Sequence, residues 1–250
     1  MCSRRPWRFG QKSKNPATLC PDQSGQAFGL WRTAEPKPEA RFVCLFDNDW
    51  YLCVMRNPEA TKETILHKSG VLFNTKGYKA TSISDITDAT GFTKGAIYRH
   101  FENKDELERK TLGHLSQIMF DKLRKLIKAE HTAPAKLRAV FSFFESYTTD
   151  SPLAGGCPLL NAAIEADDAH PALRNEALKA FSTLRQSLIA VLDNGIAHNQ
   201  IKPSVDKEYY ATVVIASLEG GIMMSKLHGN NDDIRRVIKH LNQQLSEIVL

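Results

Sequence analysis

Thr81-Ser-Ile-Ser-Asp-Ile-Thr-Asp-Ala-Thr-Gly-Phe-Thr-Lys-Gly-Ala-Ile-Tyr-Arg-His-Phe-Glu-Asn-Lys104 decides the fold. Two short amphipathic segments meet at Gly91, which supplies the turn between them. The first is expected near residues 83–89, capped by Thr81 or Ser82, with Ile83 and Ile86 turned inward. The second is expected over about 94–100, capped by Thr93, and carries Lys94, Tyr98, Arg99 and His100. So short and polar a helix cannot be stable through its own burial. It has to be propped by a neighbour, leaving its polar face to an anionic partner. That is the plan of a helix-turn-helix reader of the DNA major groove.

Upstream, Pro58 suits the first turn of a helix, Ile65, Leu66, Leu72 and Phe73 recur at helical spacing, and Gly77 closes it. Downstream, Asn103-Lys-Asp-Glu106 has the form of a capping box and opens a long helix to about Lys128. Helical patterning continues after Pro134, with Leu137, Val140, Phe141, Phe144 and Tyr147 on one stripe ended by Ser151-Pro152. A short helix is expected around Leu159, Leu160 and Ile164. Pro171 opens another that stops near Asn194-Gly195, and two more follow at about 205–228 and 231–249. The chain is expected to be all-α with about nine helices: residues 56–104 form a three-helix DNA-binding domain, and residues 105–250 a larger helical domain.

Residues 1–55 are of a different character. They hold all three Trp, four of five Cys and five of eleven Pro, and show no periodicity before Arg41. Phe42–Phe46 and Trp50–Val54 flank Asp47-Asn48-Asp49 as a short hairpin would. The favoured expectation is that translation starts at Met55. Otherwise these residues form a largely disordered arm with at most that local hairpin.

Formal charge is +5, and its distribution carries more than the total. Residues 1–55 and 56–104 each contribute +3, whereas 105–250 sum to −1. Positive charge thus gathers around the proposed reading head, where phosphate attraction needs it. Five cysteines without a C-x-x-C give neither a disulfide framework nor a clustered zinc site. No apolar run approaches the length of a membrane span, and a cytoplasmic location without cofactor is expected.

With this layout, residues 59–104 resemble the DNA-binding domain of the TetR family of transcriptional regulators. The matching residues are Ile65-Leu66, Gly70-Val-Leu-Phe73, Gly77-Tyr78, Thr81, Ile86, Gly91, Thr93–Tyr98, His100-Phe101 and Lys104. Gly156-Cys-Pro-Leu-Leu-Asn161, Glu165-Ala-Asp-Asp168 and Leu218-Glu-Gly-Gly-Ile222 look like the regulatory domain of one branch of that family. Residues 1–55 have no counterpart in its usual plan. The resemblance implies a homodimer on a palindromic operator in double-stranded DNA, usually a repressor, released by a small-molecule effector in the C-terminal domain.

Chemistry gives each part residues. Lys94 and Arg99 can donate to guanine edges or phosphate, Gly95 permits close backbone approach, and Ala96 can meet a thymine methyl. Tyr98, His100 and Lys104 carry over as phosphate contacts, and Thr81 and Thr93 as caps that can also touch phosphate. Ile97, Ile86 and Phe101 belong to the core. For dimerisation, Ile234, Ile238, Leu241 and Leu245 share one face of the last helix, and Val214, Leu218, Gly221 and Ile222 one face of the helix before it. A four-helix interface is expected, against the alternative that these stripes pack within one subunit. For the effector, Met119, Phe120, Phe141, Phe144, Tyr147, Leu160, Ile164 and Phe181 could line an apolar cavity, with Asn161, Glu165 and His114 as polar handles and Cys157 as a further ligand position. Plain core is the competing reading for each.

Cys157, after Gly155-Gly156, is either a redox or electrophile sensor or a small apolar residue in a turn. Asp167-Asp168 with His170 could suggest a hydrolytic or metal cluster in an enzyme, or simply mark a helix start before Pro171. A nonspecific architectural DNA binder is the other rival, distinguished by phosphate contacts alone.

Overall fold

A computed structural model describes residues 41–47, 50–149, 151, 153–166 and 170–250. It divides into two units at Arg56/Asn57. In the first unit, β1 (Arg41–Asp47) and β2 (Trp50–Arg56) pair antiparallel in the register Arg41↔Arg56 to Asp47↔Trp50. The hairpin expected from the pattern is therefore present and extends further at its open end. The rest of the arm expected over residues 1–55, residues 1–40 and 48–49, lies outside the described residues.

The unit Asn57–Leu250 is all-helical. Its elements are α1 (Pro58–Lys76), α2 (Ile83–Thr90), α3 (Lys94–Ile97), α4 (Lys104–Ala129), α5 (Ala133–Thr149), α6 (Pro158–Glu165), α7 (Pro171–Ala197), α8 (Lys207–His228) and α9 (Asp232–Ile248). Local chemistry explains where they begin. Asn57 accepts from the backbone N–H groups of Glu59 and Ala60, and Pro58 fills the position where an amide would be unsatisfied. Ser82, not Thr81, caps α2, in a reciprocal box with Asp85. Asn103 caps α4 through Glu106 N–H, but Glu106 reaches back to Glu102 N–H, one residue earlier than a regular box. His170 Nδ1 accepts from Leu173 N–H at the start of α7, ahead of Pro171.

Two boundaries differ from expectation. α3 spans only Lys94–Ile97, because the amides of His100 and Phe101 both return to Ile97 O and tighten the chain into a turn. α7 runs through Asn194-Gly195 to Ala197. Gly195 acts there as a contact and not a stop: a β-carbon on it would stand 2.6 Å from Ala133 Cβ and from Ile201 Cγ1. α4 is the central strut, packed on α1 at the head side and on α5, α6 and α7 beyond it.

Candidate nucleic-acid interface

The reading head closes on a small core. Ile65, Ile86 and Ile97 are fully buried, and Phe73 stacks on Tyr78 at 4.9 Å between ring centroids. Ile97 anchors α3 to this core. Thr93, Lys94, Gly95, Tyr98 and Arg99 are left exposed on the opposite side, with His100 half-buried. Thr93 Oγ1 accepts from Ala96 N–H as the cap, and Lys94 Nζ lies 5.9 Å from the centre of the Tyr98 ring. A β-carbon on Gly95 would meet nothing within 4 Å, so the surface there is open to a close-approaching partner.

Three of the residues expected to touch DNA are placed otherwise. Thr81 is fully buried, and its hydroxyl donates to Gly77 O at 2.6 Å, pinning the turn after α1. Ala96 is 6% exposed and packs under α3, too deep to offer its methyl to a base. Lys104 donates to Tyr78 O at 2.8 Å and pairs with buried Glu108 at 2.9 Å, so its ammonium serves an internal network first.

That network joins the head to the helical domain. Glu108 also meets His170 Nε2 at 2.5 Å. Since His170 Nδ1 already accepts from Leu173 N–H, Nε2 carries the proton and donates to Glu108. Asp105, Glu108 and His170 are the group among the described residues that could approach a metal ion. With Lys104 neutralising Glu108 and the His170 Nε2–H committed, the arrangement is a hydrogen-bonded chain from the turn after α1 through α4 to the start of α7. Asp167 and Asp168, the rest of the cluster considered from sequence, lie outside the described residues.

On the other side of Tyr78, Glu165 at the end of α6 accepts from the backbone N–H groups of Tyr78 and Lys79, both at 3.0 Å. Burial first, then the nearby Glu108 and Glu165 carboxylates, push the Tyr78 phenol well above its usual range. Asn74 Nδ2 donates to Ala154 O and Gly156 O at 2.6 and 2.8 Å, and Asn161 Nδ2 returns to Asn74 Oδ1 at 2.9 Å. Asn161 and Glu165, expected as polar handles for a ligand, instead clasp the end of α1 to α6.

The other expected effector residues also separate. Met119, Phe144 and Tyr147 are buried core, Phe120 packs at its edge, and Ile164 is 67% exposed on the outer face of α6. His114 is half-buried; burial, then His67, lowers its pKa. Of the expected ligand positions, Leu160 and Phe181 line a cavity of about 530 Å³ walled by α6, α7 and α8. The two charged wall residues, Arg174 and Glu219, are not among the expected ligand positions. Glu219 had a signal, being the only acid between Ala211 and Ile222 on an otherwise apolar helix. Its Oε1 accepts from Cys157 Sγ at 3.0 Å, and burial raises its pKa to about 7. Cys157 is 1% exposed; burial and then Glu219 push its thiol well up, so it stays protonated and shielded. A thiolate sensor needs the opposite, and the small apolar reading of Cys157 describes its place.

The expected dimer stripes face inward. Val214, Leu218, Ile222, Ile234, Leu241 and Leu245 are all at most 1% exposed, and Ile238 is half-buried. Gly221 is buried, with Ile234 Cδ1 2.9 Å from where its β-carbon would be. These residues close α8 on α9 within one chain, which was the alternative. Periodicity marked the apolar face correctly but could not say which surface covers it. A second α8 face is left open: Tyr209, Ala216, Met223 and Leu227 are exposed, and a β-carbon on Gly220 would meet nothing.

Comparison with known proteins adds to this geometry. Residues 65–109 match the family described as bacterial regulatory proteins, tetR family, and residues 133–241 the tetracyclin repressor-like C-terminal domain. A TetR transcriptional regulator from Chloroflexus aurantiacus is similar at 33% identity and TM-score 0.75, covering 78% of this chain and 98% of that one. A TetR-family regulator from Cytophaga hutchinsonii is similar at 30% identity and TM-score 0.73, over 79% and 98% of the two chains. The transcriptional repressor DhaR of Mycobacterium sp. (strain GP1) is 24% identical over 177 residues, 69% of this chain and 86% of DhaR.

Proposed function

The chain belongs to the TetR family of transcriptional regulators, and from that premise we propose that it acts as a homodimeric repressor on a palindromic operator and is released by a small molecule. It is a DNA-binding regulator and not an enzyme. No helix among the described residues is long and apolar enough to cross a membrane. The observation that carries this reading is α3 itself. It is held from beneath by Ile97 and presents Thr93, Lys94, Gly95, Tyr98 and Arg99 together on one open face.

Lys94 and Arg99 are the base readers in this reading. Tyr98, Thr93 and His100 are phosphate contacts that set the register. Selection from randomised duplexes tests it, and a single palindrome is expected. Lys94→Ala should relax preference at one or two operator positions at a cost of about 1–3 kcal/mol. Lys104→Ala should leave the base preference and the salt slope unchanged and act through the Tyr78–Glu108 network instead. Recovery of no sequence from folded protein would sink the operator reading.

Dimerisation is supported by the open stripe on α8, since Tyr209, Ala216, Gly220, Met223 and Leu227 recur at helical spacing and α9 turns charged residues outward. A two-fold pairing of α8 with its copy would bury this stripe and bring two heads onto one face of the duplex. Leu227→Glu combined with Met223→Glu is expected to run near 28.0 kDa and not twice that, with helicity retained and operator affinity at least tenfold lower. Light scattering with circular dichroism checks it, and an unchanged dimer would assign the interface elsewhere.

Release is a coupling between cavity and head. The α6 wall of the cavity ends in Glu165, which holds the backbone of Tyr78 and Lys79 just ahead of α2. A ligand that prefers a shifted α6 would move this clasp, and α4 with it, changing the position of α3.

A further inference from the structure

The cavity between α6, α7 and α8 is apolar apart from two side chains. Its walls include Leu160, Ala163, Phe181 and Ile215, with Glu219 at the buried side and Arg174, an exposed residue, on α7. Glu219 is 8% exposed. Its Oε1 takes the Cys157 S–H, but Oε2 is buried with no hydrogen-bond partner among the described residues. The Tyr147 hydroxyl is likewise buried without one, close enough that Glu219 and Cys157 bear on its ionisation. An acceptor left unmet beside an apolar space calls for a donor, because a buried unpaired carboxylate oxygen is costly.

We propose that this cavity binds hydrophobic amines, with the ligand's ammonium donating to the free oxygen of Glu219 and its hydrocarbon part filling the space between Leu160, Phe181 and Ile215. This names the ligand class for the effector domain and rests on the regulator reading only for what binding does to DNA, not for whether it occurs. An ammonium fits better than a neutral donor, since it supplies the missing hydrogen bond and also neutralises the carboxylate that burial disfavours. A ligand carboxylate seated at Glu219 in place of the ammonium would meet a like charge.

The pH behaviour follows from the groups that face the site. Cys157 and Tyr147 are both pushed upward and stay neutral through the physiological range, and the Arg174 guanidinium also lines the cavity. Glu219, raised to about 7 by burial, is the group that titrates between pH 6 and pH 8. Ionised Glu219 is the form that takes an ammonium, so amine affinity should rise about tenfold from pH 6 to pH 8.

Calorimetric titration of the full chain with three matched probes decides the matter: 1-naphthylmethylamine, 1-naphthalenemethanol and 1-naphthylacetate. The amine is expected to bind at least tenfold tighter than the alcohol, with the acetate weakest. In Glu219→Gln the amine-to-alcohol ratio should fall to about one, with alcohol affinity unchanged within about threefold. Should that variant fail to fold, the wild-type pH series alone decides, the amine rising and the alcohol staying flat. Equal binding of amine and alcohol, tighter binding of the acetate, a preference that survives Glu219→Gln, a flat amine profile, or no binding of any probe at millimolar concentration would each overturn the proposal. Operator binding by the same preparation, without probe, separates the two readings. Intact DNA binding with no amine site removes the ligand class alone. An amine site without operator binding removes the regulator reading alone.

Discussion

Gly155→Ala is expected to lower the unfolding free energy by roughly 3 kcal/mol or more, the largest effect of a methyl added at any glycine among the described residues. Gly155 has φ +93°, a conformation L side chains rarely adopt, and its β-carbon would stand 2.1 Å from Asn74 O. The obstacle is backbone, so no rotamer relieves it. It also lies at the centre of the clasp: Gly155 O accepts from Asn161 Nδ2 at 3.1 Å and from Lys226 Nζ, while the neighbouring carbonyls of Ala154 and Gly156 hold Asn74. Pushing this loop off α1 therefore breaks several hydrogen bonds at once and loosens the head from α6. Gly95→Ala is the control, because that site is helical and open, and stability there should be unchanged or slightly higher. Urea unfolding of both variants checks the pair. Equal midpoints would mean that the clasp does not hold α1 as described.

The second large effect is on pH dependence. Stability is expected to fall between about pH 4.5 and pH 7, on the order of 3 kcal/mol from Glu219 alone. Burial raises this carboxyl from 4.5 to about 7 in the folded chain, so the folded state binds the proton more tightly than the unfolded one. The contribution is full below the unfolded value and is lost as pH rises through the folded one. Cys157 acts in the opposite sense, since its hydrogen bond favours the charged form, but burial is the larger cause. Glu219→Gln should remove this slope, leaving it less stable than wild type at pH 5 and more stable at pH 8. Denaturation midpoints at those two values are the measurement. A slope unchanged by the substitution would mean that Glu219 titrates as an exposed acid. Asp85 contributes in the other direction, because hydrogen bonds from Lys76 and Ser82 hold its carboxyl below the usual range, and it is solvent-exposed enough for the effect to be small.

These effects share a cause: polar groups whose partners lie far off in sequence. Glu165 reaches back 87 residues to Tyr78, Cys157 meets Glu219 across 62, and Lys104 donates to a carbonyl 26 residues before it. Nothing within a helical turn of these residues predicts such pairings. From sequence alone Lys104 therefore reads as a phosphate contact, Glu165 as a ligand handle, and Glu219 carries no role.

The order and kind of the elements and the chemistry of the reading helix are written in the sequence. Capping by Asn57, Ser82 and Asn103, the prolines opening α1 and α7, and the turn at Gly91 all act within about four residues, so they are legible in the string. Apolar periodicity likewise showed that Ile97 faces inward and Lys94 and Arg99 outward. Which apolar face of α8 closes the subunit and which stays open is set by the packing of the folded chain. That packing alone assigned Thr81, Asn161 and Glu165 to holding the head, and it alone set one carboxyl against a cavity. Periodicity states that a face must be covered; what covers it depends on three-dimensional packing, where burial and long-range hydrogen bonds outweigh local preference.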